Sequence, residues 1–527
     1  MKDISDAPLV GRSIPRVEDA GLLTGRGQYI DDLPTATGTR ALAFVRSPHG
    51  HATIDSIDIT AASKAPGVLA VITGADVASL TRSMTVGVKA DVNCWPMAVD
   101  RVRYVGEPVA MIVATDRYLA EDAADLVVVD YAPLPVVVDP VTALSPDAPV
   151  LHPSLGGNVI NDRSFCYGDP QAAFAAAARR ITVDVTYPRS ACTPIETYGV
   201  IARYDPTDDA YDVTANFQGP FSIHAVIARA LQVPGNRLRL RTPPDSGGSF
   251  GIKQGVFPYI ILASVAARVA GAPVKWIEDR LEHLSASVSA TNRQTRLAAA
   301  VDPDGRITAL DWDQIEDCGA HLRAPEPATL YRMHGNMTGA YAIPNLAIRN
   351  RIVLTNKTPT GLNRGFGGPQ VYYALERLMD TIARELGLPR LAVIRCNLVA
   401  ADAFPYHTAR GGSLASGHSH PAIAAALAPG VLADLYARRD AARADGRIYG
   451  IGYACIVEPS VSNMGYITTV LTPEERAKAG PKNGAQSTAT VAIDPLGAVT
   501  VKVASVPQGQ GHRTVLARVV ADGLGLP

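Results

Sequence analysis

Three glycine-dense loops contain the residue types that could bind a large anionic ligand. They are loop 1, Gly247–Lys253 (GGSFGIK); loop 2, Asn363–Gln370 (NRGFGGPQ); and loop 3, Gln508–Thr514 (QGQGHRT). Each follows a β-rich run and precedes an apolar helical pattern. Glycines allow backbone N–H groups to converge on an anion, and a helix N-terminus behind the loop adds partial positive charge. The loops therefore predict a site for a bulky anionic cofactor.

Each loop taken alone also has a plainer interpretation, as a tight turn between a strand and a helix. On that interpretation Phe250 and Phe366 are hydrophobic plugs beneath the turns, and Arg364 is a loop arginine paired with a carboxylate. His512 fits the start of a helix better than a metal site, because no second His or Cys lies at ligand spacing. A nucleotide-dependent dehydrogenase is disfavoured, because no G-x-G-x-x-G motif follows a strand with an acidic residue ~20 positions later.

Length and charge limit the class of protein. A chain of 527 residues corresponds to about three domains, each with its own core. The 49 Lys and Arg residues balance 50 Asp and Glu residues, giving a net charge of -1, which disfavours nucleic acid as a partner. With 47% hydrophobic and 19% charged residues, the chain is expected to be globular, with part of its surface covered by partner subunits.

The cysteines and the apolar stretches indicate a cytoplasmic protein without a membrane span. The six cysteines are scattered and form no C-x-x-C pair, so neither a disulfide framework nor an iron-sulfur site is expected. Met1–Arg12 lacks the apolar core of a signal peptide. The most apolar stretch, Pro258–Val274, is interrupted by Arg268 and is judged too short to cross a bilayer.

Hydrophobic periodicity and turn residues predict the elements that position the three loops. Asp-Pro and Gly turns at residues 205–209, 302–305 and 494–497 predict three β-hairpins. The expected strands are Val68–Thr73, Val109–Ala114, Val127–Val129, Ile181–Tyr187, Val200–Tyr204 and Tyr211–Ala215. The expected helices are Tyr118–Leu126, Pro170–Arg180, Pro369–Leu388, Tyr436–Arg447 and Val515–Leu526.

Two composition changes predict three domains. Pro146–Asp162 is rich in Pro, Gly, Asn and Asp and reads as a surface connection. A second boundary is expected where the charged helix gives way to a β-rich run that begins at Ile448. The domains predicted from these changes span residues 1–155, 156–445 and 446–527.

The order of these motifs resembles the molybdenum-binding large subunit of the xanthine dehydrogenase, aldehyde oxidase and carbon monoxide dehydrogenase family, nearly from end to end. The three loops are similar to that family's molybdopterin-contacting loops, and Gln218 occupies the place of its glutamine that approaches the metal's oxo ligand. Three further motifs resemble its N-terminal α/β hammerhead domain, namely Gly11–Asp19, Gly25–Asp32 and Arg103–Ala110. The resemblance implies an α+β protein, with a hammerhead domain followed by molybdopterin-binding domains, the last one incomplete.

The resemblance also implies a function, the oxidative hydroxylation of an aldehyde or N-heteroaromatic carbon with water as the source of oxygen. The catalytic residues that it implies are Gln218, Arg364 and Phe366, with the cation stabilising developing negative charge and the ring packing on substrate. None of them is expected to ligate the metal directly. The residues that would contact the molybdenum-molybdopterin cofactor, in its simple or cytosine dinucleotide form, are Gln218, Gly247, Gly248, Phe250, Gly251, Arg364, Gly365, Gly509, Gln510 and Gly511.

Electron transfer would need partners, because this chain has no cysteine cluster for iron-sulfur ligation and no flavin motif. The resemblance implies a small subunit with 2Fe-2S centres and a medium subunit with FAD. The rival hypothesis is a non-catalytic scaffold of the same ancestry that binds partner subunits without turning over substrate.

Two departures from the family pattern affect these expectations. The carbon monoxide dehydrogenases carry a copper-binding cysteine directly after the loop 2 arginine, whereas Gly365 stands here, so CO is not the expected substrate. The family's general-base glutamate lies in a Gly-x-Gly-Glu segment far beyond loop 3, and the sequence extends only to Pro527. Glu458, Glu474 and Glu475 lack such glycine flanks and are assigned surface or structural roles. We therefore expect either a truncated product or a separate chain that supplies this glutamate.

Overall fold

The protein folds into mixed helices and strands that place the three loops side by side. The computed structural model describes residues 8–84, 94–323, 328–409, 412–415, 417, 419–428, 430–458, 474–475, 477 and 488–526. The strands are β1 (Arg40–Arg46), β2 (Ala52–Asp58), β3 (Val68–Thr73), β4 (Arg101–Val102), β5 (Pro108–Ala114), β6 (Val128–Pro133), β7 (Val159–Tyr167), β8 (Arg179–Tyr187), β9 (Gly199–Asp205), β10 (Ala210–Ala215), β11 (Leu238–Arg241), β12 (Val274–Ile277), β13 (Asn292–Val301), β14 (Ile307–Asp317), β15 (Asn345–Val353), β16 (Tyr406–His407), β17 (Ser413–Leu414), β18 (Ala489–Ile493) and β19 (Val499–Val503). The α-helices are α1 (Asp19–Leu22), α2 (Gly74–Leu80), α3 (Arg117–Ala124), α4 (Pro170–Ala176), α5 (Pro220–Ala230), α6 (Phe257–Ala270), α7 (Arg280–Ala286), α8 (Ala328–Arg332), α9 (Gly368–Leu386), α10 (Arg390–Asn397), α11 (Ser419–Ala426), α12 (Val431–Ala444) and α13 (His512–Leu524).

A seven-stranded sheet joins the N-terminal segment to the middle of the chain. Its strand order is β11-β10-β9-β12-β1-β5-β3, and β1 pairs in parallel with β12 through Arg40 and Val274. The largely buried helix α6 lies in the core cluster that strands of this sheet also line. The sheet therefore continues across the domain boundary predicted near residue 155, and the boundary itself stays a prediction.

A five-stranded sheet, with the order β7-β15-β14-β13-β8, forms a second core with α9. The predicted apolar stripe of this helix is confirmed, because Val371, Leu375, Leu378 and Ile382 are all buried. The helix predicted over Pro369–Leu388 runs from Gly368 to Leu386, and Gly387, whose φ of 66° places it in the left-handed region, caps its C-terminus. Smaller sheets are β4-β2-β6, β16-β17 and β18-β19.

The three predicted hairpins are confirmed as β9–β10, β13–β14 and β18–β19. Three other expectations differ from the structure. The helix predicted over Pro170–Arg180 ends at Ala176, because Arg179 and Arg180 join β8 and pair with β13. Strand β7 begins at Val159, inside the predicted surface connection. The run from Ile448 to Glu458 belongs to no strand, and residues 459–473 lie outside the described part.

The most apolar stretch is longer than the sequence pattern suggested. A 3-10 turn over Ile252–Val256 precedes α6, so that the helical run Ile252–Ala270 has 19 residues and could cross a membrane by length and composition alone. The expectation that it was too short is therefore wrong. In the structure 89% of the 18-residue window that meets this test is buried inside the protein.

A buried polar seam links the Arg103–Ala110 motif to the middle of the chain. The Glu107 carboxylate accepts hydrogen bonds from the Arg103 backbone N–H at 2.6 Å and from His321 Nε2 at 2.6 Å. The His152 ring lies 5.4 Å from that of His321. Burial, followed by the neighbouring His321 and Arg103, lowers the pKa of His152 to about 3. Both the position and the charge state of this histidine therefore depend on folding.

We predict that His152 makes the fold sensitive to acid. Since its folded pKa lies below the ordinary value of ~6.5, the unfolded chain alone binds this proton as the pH falls through that range. The free energy of unfolding should therefore fall by up to ~1.4 kcal/mol per pH unit between ~6.5 and about 3.

Urea denaturation at ~pH 4.5 and ~pH 7.5 measures this slope. His152→Gln should reduce the slope, whereas His407→Gln, which replaces an exposed histidine, should leave it unchanged. An acid slope that is the same in His152→Gln and wild type would contradict the assignment.

Candidate cofactor and active site

Each predicted loop lies between a strand and a helix, as expected from the sequence. Loop 1 follows β11 and leads into α6, loop 2 follows β15 and leads into α9, and loop 3 follows β19 and leads into α13. A glycine with positive φ stands directly before each helical start: Gly251 at 116°, Gly367 at 82° and Gly511 at 80°. The loops can therefore turn sharply and present backbone N–H groups at a helix N-terminus.

The structure brings the three loops together around loop 1. The Arg364 backbone N–H donates to the Phe250 carbonyl at 2.7 Å, which joins loop 2 to loop 1. Ser246 Oγ, just before loop 1, donates to Gln508 Oε1 of loop 3 at 3.0 Å. Segments that are far apart in sequence thus form one surface.

Gln218 lies against the same loops. Its side-chain carbonyl accepts a hydrogen bond from Ser249 Oγ of loop 1, and Gln508 Nε2 donates to the Phe217 carbonyl at 3.3 Å. Gly219, with a φ of 66°, then starts α5. The sequence-predicted residue Gln218 is therefore placed where loops 1 and 3 meet.

Two phenylalanines in the loops adopt a backbone conformation that side chains usually avoid. Phe250 has a φ of 55° and Phe366 a φ of 40°. In the described part of the chain, only Asp209 and Gln232 share this property among non-glycine residues. Such strained residues persist where the surrounding structure holds them, and they concentrate at functional sites. Phe250 is also 45% exposed, so the interpretation as a buried plug is wrong for this residue.

Arg364 is an exposed cation in loop 2, close to Phe250 of loop 1. Its guanidinium lies 5.2 Å from the centroid of the Phe250 ring, a distance that permits cation–π attraction. No described carboxylate lies within ion-pair distance of it, which does not support the plainer interpretation of a carboxylate-paired arginine. Burial raises the pKa of the nearby Cys192, and the positive charge of Arg364 opposes that rise. The positive charge of Arg364 therefore acts on the neighbouring thiol of Cys192.

The main feature that sequence reasoning missed is an ion pair beneath loop 1. The side chain of Lys253 is fully buried, and Nζ contacts Glu196 Oε2 and lies 3.2 Å from Ser246 Oγ. The same carboxylate accepts from the Gly247 N–H at 2.9 Å and from the Ile30 N–H at 3.2 Å. Burial lowers the pKa of Lys253, and Glu196 opposes this effect. The sequence did contain a signal for this pair. Lys253 precedes an apolar helix, and a lysine that becomes buried there needs a carboxylate partner.

The backbone donors of the loops divide into two groups. Gly247 and Gly251 donate within the protein, to Glu196 and Ser249, and so shape loop 1. Among the described residues, several backbone N–H groups donate to no protein acceptor, namely those of Gly248, Phe250, Gly365, Gly509, Gln510 and Gly511. Anions such as phosphate bind to converging donors of this kind.

Buried side-chain amides next to the loops also have unused hydrogen-bonding capacity. Gln254 is 4% exposed and donates to Ser222 Oγ at 2.8 Å, while its Oε1 has no partner. Gln370, at the start of α9, donates to Thr291 and likewise leaves Oε1 unpaired. Exchanging the amide ends would only leave the nitrogen unpaired instead. A ligand with phosphate oxygens and ring N–H groups, such as a pterin phosphate, fits this set of donors and acceptors.

The N-terminal motifs lie against loops 1 and 3. The Asp522 carboxylate accepts from the backbone N–H groups of Leu9 at 2.7 Å and Val10 at 2.8 Å, and these bonds lower its pKa. The Val17 N–H donates to Thr514 Oγ1 at 2.9 Å. The N-terminal segment therefore fixes the helix behind loop 3. His512 begins that helix, as its helix-start interpretation predicted.

Family models match three consecutive parts of the chain. The aldehyde oxidase and xanthine dehydrogenase a/b hammerhead domain matches residues 24–135. Molybdopterin cofactor-binding domain models match residues 151–398 and 430–527. The predicted fold class is thereby confirmed.

Individual relatives agree with these matches. The carbon monoxide dehydrogenase large chain of Hydrogenophaga pseudoflava is 32% identical over 97% of this chain and 64% of its own length. The nicotine 6-hydroxylase large subunit of Paenarthrobacter nicotinovorans is 35% identical over 98% of this chain and 63% of its own length. The chain thus spans just under two thirds of the length of these two relatives.

Solved structures show the same similarity. Quinoline 2-oxidoreductase from Pseudomonas putida 86 superimposes with a TM-score of 0.90 at 34% identity, over 98% of this chain and 65% of that one. Reconstituted CO dehydrogenase from Oligotropha carboxidovorans gives a TM-score of 0.86 at 31% identity over the same shares. The chain therefore belongs to the family of molybdenum-binding large subunits of xanthine dehydrogenase, aldehyde oxidase and carbon monoxide dehydrogenase.

Proposed function

We propose that this chain is the molybdopterin-binding part of a hydroxylase that oxidises an N-heteroaromatic or aldehyde carbon, with water as the source of oxygen. The observation that carries the proposal is that loops 2 and 3 contact loop 1 or the residue before it, that Gln218 binds loop 1, and that all three loops contain backbone N–H groups without a described protein acceptor. Those groups would hold the molybdenum cofactor, in its simple or cytosine dinucleotide form. Once bound, the cofactor would supply the two-electron redox chemistry that this reaction needs.

The chain's own residues would orient the substrate and stabilise charge. Phe250 stacks under the guanidinium of Arg364 and holds this cation where negative charge develops on the substrate. A preorganised cation of this kind stabilises a transition state without reorganising. Phe366, half-buried beside it, would pack on the face of a planar substrate. Gln218 would hydrogen-bond to the cofactor.

The choice of substrate class rests on loop 2 and on the relatives. Gly365 has no thiolate to hold Cu(I), so carbon monoxide is not proposed. Two relatives are described by N-heterocyclic substrates, nicotine and quinoline. An N-heteroaromatic carbon is therefore the first substrate class to test, with aldehydes second.

Partner subunits are proposed for electron transfer and for covering an exposed surface. Both faces of the β18–β19 hairpin are largely exposed, and its turn residue Leu496 is 95% exposed. Val515 and Val519 on α13 are also exposed. A lone hairpin is marginally stable, and apolar patches of this kind usually bind other protein. We propose that a further polypeptide segment completes this domain and carries the general-base glutamate.

The remaining partners would be an iron-sulfur subunit with 2Fe-2S centres and a subunit with FAD, which receive the electrons. All six cysteines are free thiols, which supports a reducing, cytoplasmic location. A non-catalytic scaffold of the same ancestry is the alternative, and the activity measurements below decide between the two.

Replacing Arg364 should affect catalysis more than stability. In the assembled complex, Arg364→Ala should lower kcat by a factor on the order of 10² or more, the scale of one lost electrostatic donor. Arg384→Ala is the matched control, because it removes an exposed arginine paired with Glu385 on α9. Steady-state kinetics with N-heterocycles and aldehydes measure the effect. A kcat within a few-fold of wild type would refute the role of Arg364.

A substitution at Gly247 tests whether loop 1 binds the cofactor. A Cβ atom at Gly247 would lie 2.4 Å from Glu196 Cβ, so Gly247→Ala should displace the loop and weaken cofactor binding about tenfold or more. Gly157→Ala is the control, since no atom lies within 4 Å of a Cβ added there. Elemental analysis of molybdenum per chain is the measurement. If Gly247→Ala and wild type contain equal amounts of molybdenum per chain, loop 1 does not bind the cofactor.

Residues 1–527 expressed alone should not hydroxylate any substrate, even with molybdenum cofactor and an artificial electron acceptor. A positioned carboxylate base commonly contributes ~10² to 10⁴ in rate, and we assign that role to a segment outside this sequence. Activity should return when a polypeptide with the Gly-x-Gly-Glu segment is added or fused. Turnover by the isolated chain, with product oxygen traced to labelled water, would show that a residue here acts as the base. If the completed complex also hydroxylates no substrate, this result favours the hypothesis of a non-catalytic scaffold.

A further inference from the structure

An extended strap of residues 453–458 lies along α9 and reaches loop 2. Its odd-numbered residues are half-buried and its even-numbered residues exposed. The Tyr453 carbonyl accepts from Arg390 at 2.8 Å, and the Val457 carbonyl accepts from Asn336 at 2.7 Å and from the Tyr372 hydroxyl at 2.8 Å. The β-rich run predicted from Ile448 thus packs on a helix here and does not join a sheet.

Glu458, the last residue of the strap, forms two charged or polar contacts. Its Oε1 accepts from Arg332 Nη2 at 2.7 Å, and its Oε2 lies 2.7 Å from the Tyr372 hydroxyl. A Cβ atom at Gly368 would lie 2.7 Å from this second oxygen, so the glycine leaves room for the carboxylate. Burial raises the pKa of Tyr372, and the bond to Glu458 raises it further. The hydroxyl therefore remains a donor.

Arg332 connects Glu458 to loop 2. Its Nη1 donates to the carbonyls of Gly365 and Phe366, the latter at 3.1 Å. Its guanidinium carbon lies 5.6 Å from the centroid of the Phe366 ring. Since Phe366 has a strained φ of 40°, its backbone needs such external donors to keep this conformation.

We propose that Glu458 is a positioning residue that fixes Phe366 through Arg332. The inference rests on the proposed function, because Phe366 there packs on the substrate. The Arg332 side chain is 7% exposed, and its guanidinium forms an ion pair with the Glu458 carboxylate. Loss of this charge would weaken the charge-assisted hydrogen bond to Arg332 Nη2 and so loosen the hold of the guanidinium on the two carbonyls. Residues 430–527, the second cofactor-binding region, would thus control the geometry of a loop in the first.

Glu458→Gln in the assembled complex tests this inference, because the amide keeps the shape of the side chain and removes the charge. Glu458 is 40% exposed, so the protein should still fold. We expect kcat to fall by a factor on the order of 10 to 100, the scale of a displaced catalytic loop, with a smaller change in KM. Glu458→Asp, which keeps the charge on a shorter side chain, should recover part of the loss.

Hydrogen exchange of the backbone separates positioning from general damage. The loop 2 N–H groups of Arg364, Phe366 and Gly368 are hydrogen-bonded, and in Glu458→Gln they should exchange at least about fivefold faster. Loop 1 amides should not change. Glu121→Gln is the control, because it removes an exposed carboxylate paired with Arg117 on α3 and should alter neither kcat nor exchange.

The outcomes are distinguishable. Unchanged exchange in loop 2, or an unchanged kcat in an active complex, would overturn the positioning role of Glu458. If the wild-type complex hydroxylates no N-heterocycle or aldehyde, the proposed function fails, and the exchange of loop 2 then decides the inference alone. Faster exchange confined to loop 2 together with a lower kcat supports it.

Discussion

The buried ion pair of Glu196 and Lys253 is the interaction on which the candidate site depends. One carboxylate binds the lysine, the first N–H group of loop 1 and the N–H of Ile30 in the N-terminal segment. Removing either partner would leave a charge buried without compensation, which typically costs about 3–5 kcal/mol. The pair lies beneath loop 1, and the N–H groups of Gly248 and Phe250 in this loop donate to no described protein acceptor. Loops 2 and 3 then pack on loop 1, so their arrangement follows from this pair.

The site is assembled from a strained loop surface on a rigid base. The seven-stranded sheet and α6 provide the base for loop 1, while the five-stranded sheet and α9 provide that for loop 2. Strain is tolerated at Phe250 and Phe366 because buried helices begin directly behind both loops. Rigid elements with tightly held loops are the kind of support that precise placement of a bound ligand needs.

Local patterns in the sequence predicted much of this fold. The stripe of α9 and the Asp-Pro turns of the hairpins are decided by neighbouring residues, and they agree with the structure. The end of α4 was wrong because pairing with a distant strand overrides the helical preference of alanine. Loops 1 to 3 and Gln218 could be found from motif order, but Glu196 could not, because its partner lies 57 positions away. The positive φ values of the phenylalanines likewise result from contacts between loops.

The parallel pairing of β1 with β12 has a consequence for the order of folding. One neighbour of β1 in the sheet, β5, is close in sequence, but its other neighbour, β12, is complete only at residue 277. Leu9 binds Asp522, which lies 513 positions later. Contacts between such distant segments form slowly, because a long loop has to close before they contribute stability. One edge of β1 therefore stays unpaired until about half of the chain has been made, and an exposed strand edge of this kind favours wrong association. The candidate site needs loop 3 beside loop 1 and α13 beside the N-terminal segment, so it is completed late in the folding of this part of the chain.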